Sequence, residues 1–147
     1  MWASTVRREE YRTSYARLWN STASNGKGND MVDVILCPAT PSAAPKLDTA
    51  RYWGYTAQWN LLDYPAAVFP VSRVGNANEA RAADGNYIPR NPADEYNWRL
   101  WEEFGAEGYK NAPLSLQLVG RRYEDEKVLR ALEVIKEEIG LPFVSCV

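Results

Sequence analysis

An α/β fold, with a mixed sheet of about three or more strands flanked by helices, is what this amino-acid sequence predicts. Three observations predict it. Short apolar runs at 32–37, 66–71 and 113–119 have strand length and are cut off by proline or glycine. Segments with helical spacing alternate with them, and such alternation gives layered α/β architecture. The last run is followed by the clearest amphipathic helix of the chain, at 124–139.

The first helix is expected over 4–19, where Tyr11, Tyr15 and Leu18 recur at i, i+4, i+7 against a charged remainder. A polar loop with Gly26 and Gly28 follows. The run Val34-Ile35-Leu36-Cys37 places apolar side chains on successive residues, which implies a strand buried on both faces. Pro38 and Pro41 end it. Helical spacing returns over 50–62, with Tyr52, Tyr55, Trp59 and Leu62 on one side, until Asn60, Asp63 and Pro65 stop it. The second strand, from Ala66, is expected to halt near Pro70. Residues 72–93 lack a period and read as a loop excursion, and Asn91-Pro92 opens a helix over 94–104. In the last helix Val128, Leu132, Ile135 and Ile139, joined by Leu129, form the buried stripe. Glu126 and Arg130 are spaced to pair, and Gly140 and Pro142 end the helix.

At 147 residues the chain suffices for one domain with a core, and its 46% apolar and 24% charged residues are those of a globular protein. A net charge of −2 gives no electrostatic case for nucleic acid, and no apolar run is long enough to span a membrane. Cys37 reads as a buried thiol, with Cys146 a remote candidate for pairing, and the N-terminus lacks the apolar core of a signal peptide. A cytoplasmic, reduced protein is the expectation. The chain has no histidine. That excludes Ser-His-Asp and Cys-His catalysis and any His-ligated zinc within it. No metal and no cofactor is expected.

Three segments carry a resemblance. They are Asp33-Val34-Ile35-Leu36-Cys37-Pro38-Ala39-Thr40-Pro41, the stretch Trp59-Asn60-Leu61-Leu62-Asp63-Tyr64-Pro65 leading into the second strand, and Pro113-Leu114-Ser115-Leu116-Gln117-Leu118-Val119-Gly120. In this order they resemble the C-terminal part of the amidase signature family. The Asp63-Tyr64-Pro65 form is similar to the larger fungal amidases of acetamidase type. The resemblance implies an incomplete amidase-signature-type fold over 1–147 and a parent enzyme that hydrolyses carboxylic amides through an acyl-serine intermediate.

In that family a nucleophilic serine in a Gly- and Ser-rich segment, a second serine and a lysine base perform the chemistry. This chain has no Ser-Ser and no Gly-Gly pair, and none of its five lysines precedes such a segment. No residue is therefore assigned as catalytic, and the chain is expected to be inactive alone, meeting a small amide only together with the missing part. Pro38, Thr40 and Pro41 either line the substrate cleft, as the resemblance implies, or form a plain turn. Gln117, polar within an apolar strand, either orients a substrate-side loop or bonds neighbouring backbone in the core, since an unpaired amide there costs about 1–3 kcal/mol. The tryptophans at 53, 59, 98 and 101 line a channel or fill a core. Two other readings stay open. One is a non-catalytic binding or assembly module that self-associates through exposed sheet edges, and the other is a relative of the amidase subunit of a tRNA-dependent amidotransferase.

Overall fold

The computed structural model describes residues 2–24, 30–75 and 86–139. Seven elements follow in the expected order: α1 (Trp2–Asn20), β1 (Ile35–Pro38), α2 (Gly54–Leu62), β2 (Ala66–Arg73), α3 (Pro92–Gly108), β3 (Pro113–Val119) and α4 (Asp125–Ile139). The three strands form one sheet in the order β1-β3-β2. Both ladders are antiparallel, so β1 and β2 run the same way with β3 between them. The α/β class holds, while the mixture of strand directions expected within the ladders is absent among the described residues. The reason is topological: α2 carries the chain from β1 across to a parallel position, and β3 then fills the gap from the opposite direction.

Register decides which face each side chain serves, because residues directly opposite share a face. Leu118 lies between Leu36 and Ala67, and Gln117 between Cys37 and Val68. On the Leu118 face, Phe69 and Leu118 pack with Val128 of α4, with Ala131, Leu132 and Ile135 completing the contact. On the Gln117 face, Val119 packs with Trp59 and Leu62 of α2, and Tyr15, Ile35 and Tyr64 close around them. Each face thus has its own helical layer. Leu118 and Val119 have no exposed surface at all. Fully burying such aliphatic side chains contributes about 1.5–3 kcal/mol each.

Burial of β1 on both faces does not occur. The strand is four residues long, Leu36 is 51% exposed, and Val68 across the sheet is 56% exposed. Both flanking strands are edges, and the central strand alone receives the full cover of α2 and α4. The strand expected to halt at Pro70 runs on to Arg73, with a register irregularity between Pro70 and Ser72. Proline is tolerated there because an edge strand has one side without ladder donors. Ser72 and Arg73 therefore belong to β2 and not to the 72–93 excursion, whose middle, 76–85, lies outside the described residues.

In α1 the buried anchor is Trp19, at 3% exposure, whereas Leu18 and Tyr11 face outward. The Trp19 Nε1 donates to the Val32 carbonyl at 2.7 Å, and the Val32 N–H donates to Thr22 Oγ1 at 3.1 Å, which fastens the approach to β1 onto the helix end. Tyr15 makes edge-to-face contacts with Trp59 and Tyr64, and Arg12 donates to the Leu61 carbonyl at 2.8 Å. α2 starts at Gly54, later than expected, so Tyr52 and Trp53 stay outside it and exposed. It ends as expected: Asp63 is left-handed at φ 62°, its N–H donating to the Asn60 and Trp59 carbonyls.

Both arginines of the turn after β3 make contacts. Arg122 reaches Asp63 at 2.6 Å, and Arg121 lies 3.5 Å from the Met31 sulfur. A Cβ at Gly120 would fall 2.5 Å from the Val128 Cγ2, so this glycine lets α4 approach the sheet. The α4 stripe is Val128, Ala131, Leu132 and Ile135, while Leu129, one residue round the helix from Val128, is 58% exposed. Arg130 pairs with Glu133 at 3.1 Å instead of with Glu126. Cys37 is a half-buried free thiol; Cys146, Gly140, Pro142 and the Ile139 side chain lie outside the described residues. No helix among the described residues is long and apolar enough to cross a membrane.

Two outcomes follow from this packing. Phe69→Ala should cost about 3–5 kcal/mol and Val68→Ala less than about 1 kcal/mol in urea unfolding, and equal losses would contradict the face assignment. Burial, with nearby tyrosines adding to it, raises the Tyr15 pKa, and burial raises that of Tyr64. A phenol whose folded pKa is raised contributes its full stability below the unfolded pKa of about 10 and loses it as pH climbs through the folded value. Thermal midpoints should therefore fall above about pH 10, and fall less in Tyr15→Phe and Tyr64→Phe. Identical alkaline profiles in all three proteins would refute the assignment.

Candidate substrate-side cleft

Gln117 is 1% exposed and sits in the middle of β3. Its Nε2 donates to the Pro38 carbonyl and to the Tyr55 carbonyl, both at 2.8 Å. Its Oε1 is buried with no donor among the described residues. Gln117 therefore bonds backbone within the core, at Pro38 where the 38–41 loop begins and at Tyr55 in α2. Cys37, its neighbour across the ladder, has its thiol pKa pushed up by burial, with the Gln117 amide acting weakly the other way.

The loop after β1 extends the ladder. Ala39 N–H donates to the Ser115 carbonyl at 3.4 Å and Ala44 N–H to the Pro113 carbonyl at 2.9 Å, while Ala39 and Ala43 are buried. Of the three residues expected to line a cleft, Pro41 does so. Pro38 contributes its carbonyl to Gln117, and the Thr40 hydroxyl donates to the Ser42 carbonyl within its own loop. The cleft at Pro41 has a volume of about 250 Å³ and is walled by Tyr52, Tyr55, Tyr87, Arg90 and the first turn of α3.

Local sequence shapes those walls. Tyr52 and Tyr55 meet edge to face, centroids 6.0 Å apart, and a Cβ at Gly54 would lie 2.2 Å from the Tyr52 hydroxyl. Only glycine lets that ring fold back over the start of α2. The α3 N-terminus is capped by Asn91, whose side chain accepts from the Ala93 and Asp94 N–H groups at 3.0 Å, with Pro92 at the first helical position. Asp94 Oδ2 accepts from the Arg90 N–H at 2.8 Å and from the Tyr87 hydroxyl at 2.7 Å. Those two bonds, the backbone one first, hold its carboxyl below the usual range, and the same contact raises Tyr87. Tyr96 ties α3 to the loop before α2 through the Thr49 carbonyl at 3.0 Å. The expected 94–104 helix runs to Gly108 across a kink at Gly105, whose φ of 56° suits glycine.

Tyr87, Arg90 and Asp94 carried no site assignment from sequence. Asn91-Pro92 was visible as a helix start, and a helix start is where capping and anion-type contacts gather. The tryptophans divide. Trp59 is core, Trp98 and Trp101 are half-buried against tyrosines, and Trp53 is exposed.

The lysine contacts do not build an acyl-transfer centre. Lys46 lies over the Phe104 ring at 4.4 Å, Lys110 pairs with Glu107 at 3.4 Å, and Lys127 pairs with Asp33 at 2.8 Å. The hydroxyls of Ser21, Ser42 and Ser72 turn to nearby backbone carbonyls, those of Leu18, Ala43 and Arg73. No group of three or more acidic, Cys or His residues among the described residues is arranged to hold a metal.

The layered frame is of the amidase signature type. It superposes on the solved structure of fatty acid amide hydrolase with a TM-score of 0.75 at 28% identity, covering 92% of this chain and 22% of that one. The chain belongs to the amidase family, whose model matches residues 1–129. It is 44% identical to a Schizosaccharomyces pombe protein named as a candidate amidase, with 92% of this chain and 23% of that protein covered. With amidase 1 of Gibberella moniliformis it shares 39% identity over 92% of this chain and 25% of the relative. With acetamidase of Emericella nidulans it shares 31% over 95% and 24%. The chain spans about a quarter of the length of the curated relatives it matches. The resemblance to fungal amidases of acetamidase type is thereby borne out.

Gln117→Leu leaves two carbonyls without their side-chain donor. It should cost about 1–3 kcal/mol and speed hydrogen exchange at Ala39 and Ala44 more than at Val128. Unchanged exchange in that loop would show that the amide does not hold it.

Proposed function

We propose that this chain is the C-terminal segment of an amidase of the acetamidase type. It supplies strands, outer helices and one wall of the substrate cleft to an enzyme that hydrolyses carboxylic amides through an acyl-serine intermediate, and it does not hydrolyse amides by itself. One observation carries the reading: the family match runs across residues 1–129 of a chain about a quarter the length of its relatives, and the described lysines Lys46, Lys110 and Lys127 are engaged by an aromatic ring or by carboxylates. An acyl-serine mechanism needs a hydroxyl within hydrogen-bond reach of a base and preorganised donors for the developing oxyanion. The serine hydroxyls at 21, 42 and 72 instead donate to the carbonyls of Leu18, Ala43 and Arg73. The exposure of Leu36 and Val68 on the two edge strands supports a sheet that continues into further protein.

The purified chain is expected to release no ammonia from acetamide or benzamide above the buffer rate, and to take up no serine-directed fluorophosphonate. Ammonia release that such a label abolishes would overturn the proposal.

A further inference from the structure

We infer that the cleft between the Tyr52–Tyr55 pair and the first turn of α3 binds a single-ring carboxamide, with the amide group held between Arg90 and Asp94. The choice of an amide rests on the amidase reading above; the choice of ring and of neutral charge rests on the cleft itself.

Size limits the ligand. At about 250 Å³ the cleft lies just below the roughly 300–1,000 Å³ of pockets that take drug-sized molecules, so one ring with one polar group is the scale it suits. Its apolar wall is aromatic. Tyr52 and Tyr55 stand at 84° to one another and remain 48% and 39% exposed, so a flat guest meets the face of one ring and the edge of the other.

The polar wall decides the charge. Asp94 uses Oδ2 for both of its hydrogen bonds, which leaves Oδ1 as an acceptor for a ligand N–H. The helix N–H groups that often draw anions are occupied, those of Ala93 and Asp94 by the Asn91 side chain, and the Arg90 N–H just before the helix is taken by Asp94. The Arg90 guanidinium lines the cleft, acts by charge on Asp94 and Tyr87, and supplies the donors. One cation beside one anion suits a group that both accepts and donates. A carboxamide does both, whereas a carboxylate only accepts and would face the charge of Asp94. The cleft therefore favours an amide over the acid that its hydrolysis yields.

The test is a titration of the 147-residue chain with benzamide, benzoate, benzyl alcohol and cyclohexanecarboxamide, read at assigned backbone and tyrosine resonances. Benzamide should give saturable shifts confined to residues 41, 52–55 and 87–97, with the other three ligands weaker by about fivefold or more, the scale of one lost polar or ring contact. Asp94→Asn should bring benzoate to within about twofold of benzamide, and Arg90→Gln should weaken benzamide by about threefold or more. Retained peak dispersion in Arg90→Gln, at an exposed position, separates lost binding from lost folding. Absence of saturable binding, benzoate or benzyl alcohol binding as tightly as benzamide, or indifference to both substitutions would overturn the inference. The titration needs no turnover. Its failure removes the cleft assignment and leaves the inactive-segment reading standing, whereas turnover by the chain removes that reading and leaves an affinity measured here intact.

Discussion

The carboxamide of Gln117 joins three pieces of chain that are remote in sequence. From β3 it donates at 2.8 Å to Pro38, 79 residues away, and to Tyr55, 62 residues away. The first bond fixes where the chain leaves β1; the second fixes α2 over the Gln117 face of the sheet. Pro41 and Tyr55, two of the residues that wall the cleft, descend from those two anchors. An apolar residue at 117 would fit the strand's pattern, yet it would leave the loop and the helix related only by packing, which is non-directional. A buried amide specifies their separation, because each donor must find its acceptor within about 0.2–0.3 Å of the ideal distance.

That anchoring matters more because the sheet is narrow. Three strands with two open edges bury fully only the end of β3, from Gln117 to Val119, and Phe69 is the enclosed side chain of β2. The Leu118 face depends on α4 for its cover, and the approach of α4 depends on the missing Cβ of Gly120. On the other face the Tyr15, Tyr64 and Trp59 rings fill the space between α1, α2 and the sheet by edge-to-face contacts. Each layer is thus one helix deep, and the aliphatic surface left over sits on the flanking strands.

Element order and type were legible in the sequence, because periodicity and proline punctuation are local signals that each segment carries alone. Burial was less legible, since it depends on what neighbours a strand acquires. The run Val34-Ile35-Leu36-Cys37 has the composition of a doubly covered strand, but its place at an edge left Leu36 half in solvent. Leu18 was credited to a buried stripe by spacing, and a rotation of one residue moved the anchor to Trp19; Leu129, expected to join the Val128 stripe, is instead exposed. The same limit applies to ion pairs: Arg130 has acids at both i−4 and i+3, and rotamer geometry chose Glu133. Pro41 was singled out by the family resemblance, and it lies in the wall of a cleft. Tyr87 and Arg90, which line the same cleft, come from a stretch without periodicity, and Asp94 comes from the helix start that Asn91-Pro92 marks.

On the reading proposed above, charge placement in this segment separates recognition from attack. Acyl transfer requires a nucleophile, a base and oxyanion donors within one rigid neighbourhood, and each must be free of other commitments when the carbonyl arrives. Lys46, Lys110 and Lys127 meet the opposite condition, bound to a ring or to carboxylates at the surface, and the hydroxyls at 21, 42 and 72 are turned to backbone. The cleft beside Pro41 is lined by tyrosine rings, a guanidinium and a carboxylate, groups that on the inference drawn above would hold a neutral guest without reacting with it. A wall of that character gains from being built apart from the nucleophile. Its carboxylate would otherwise raise the pKa of a nearby lysine and so weaken it as a base at neutral pH.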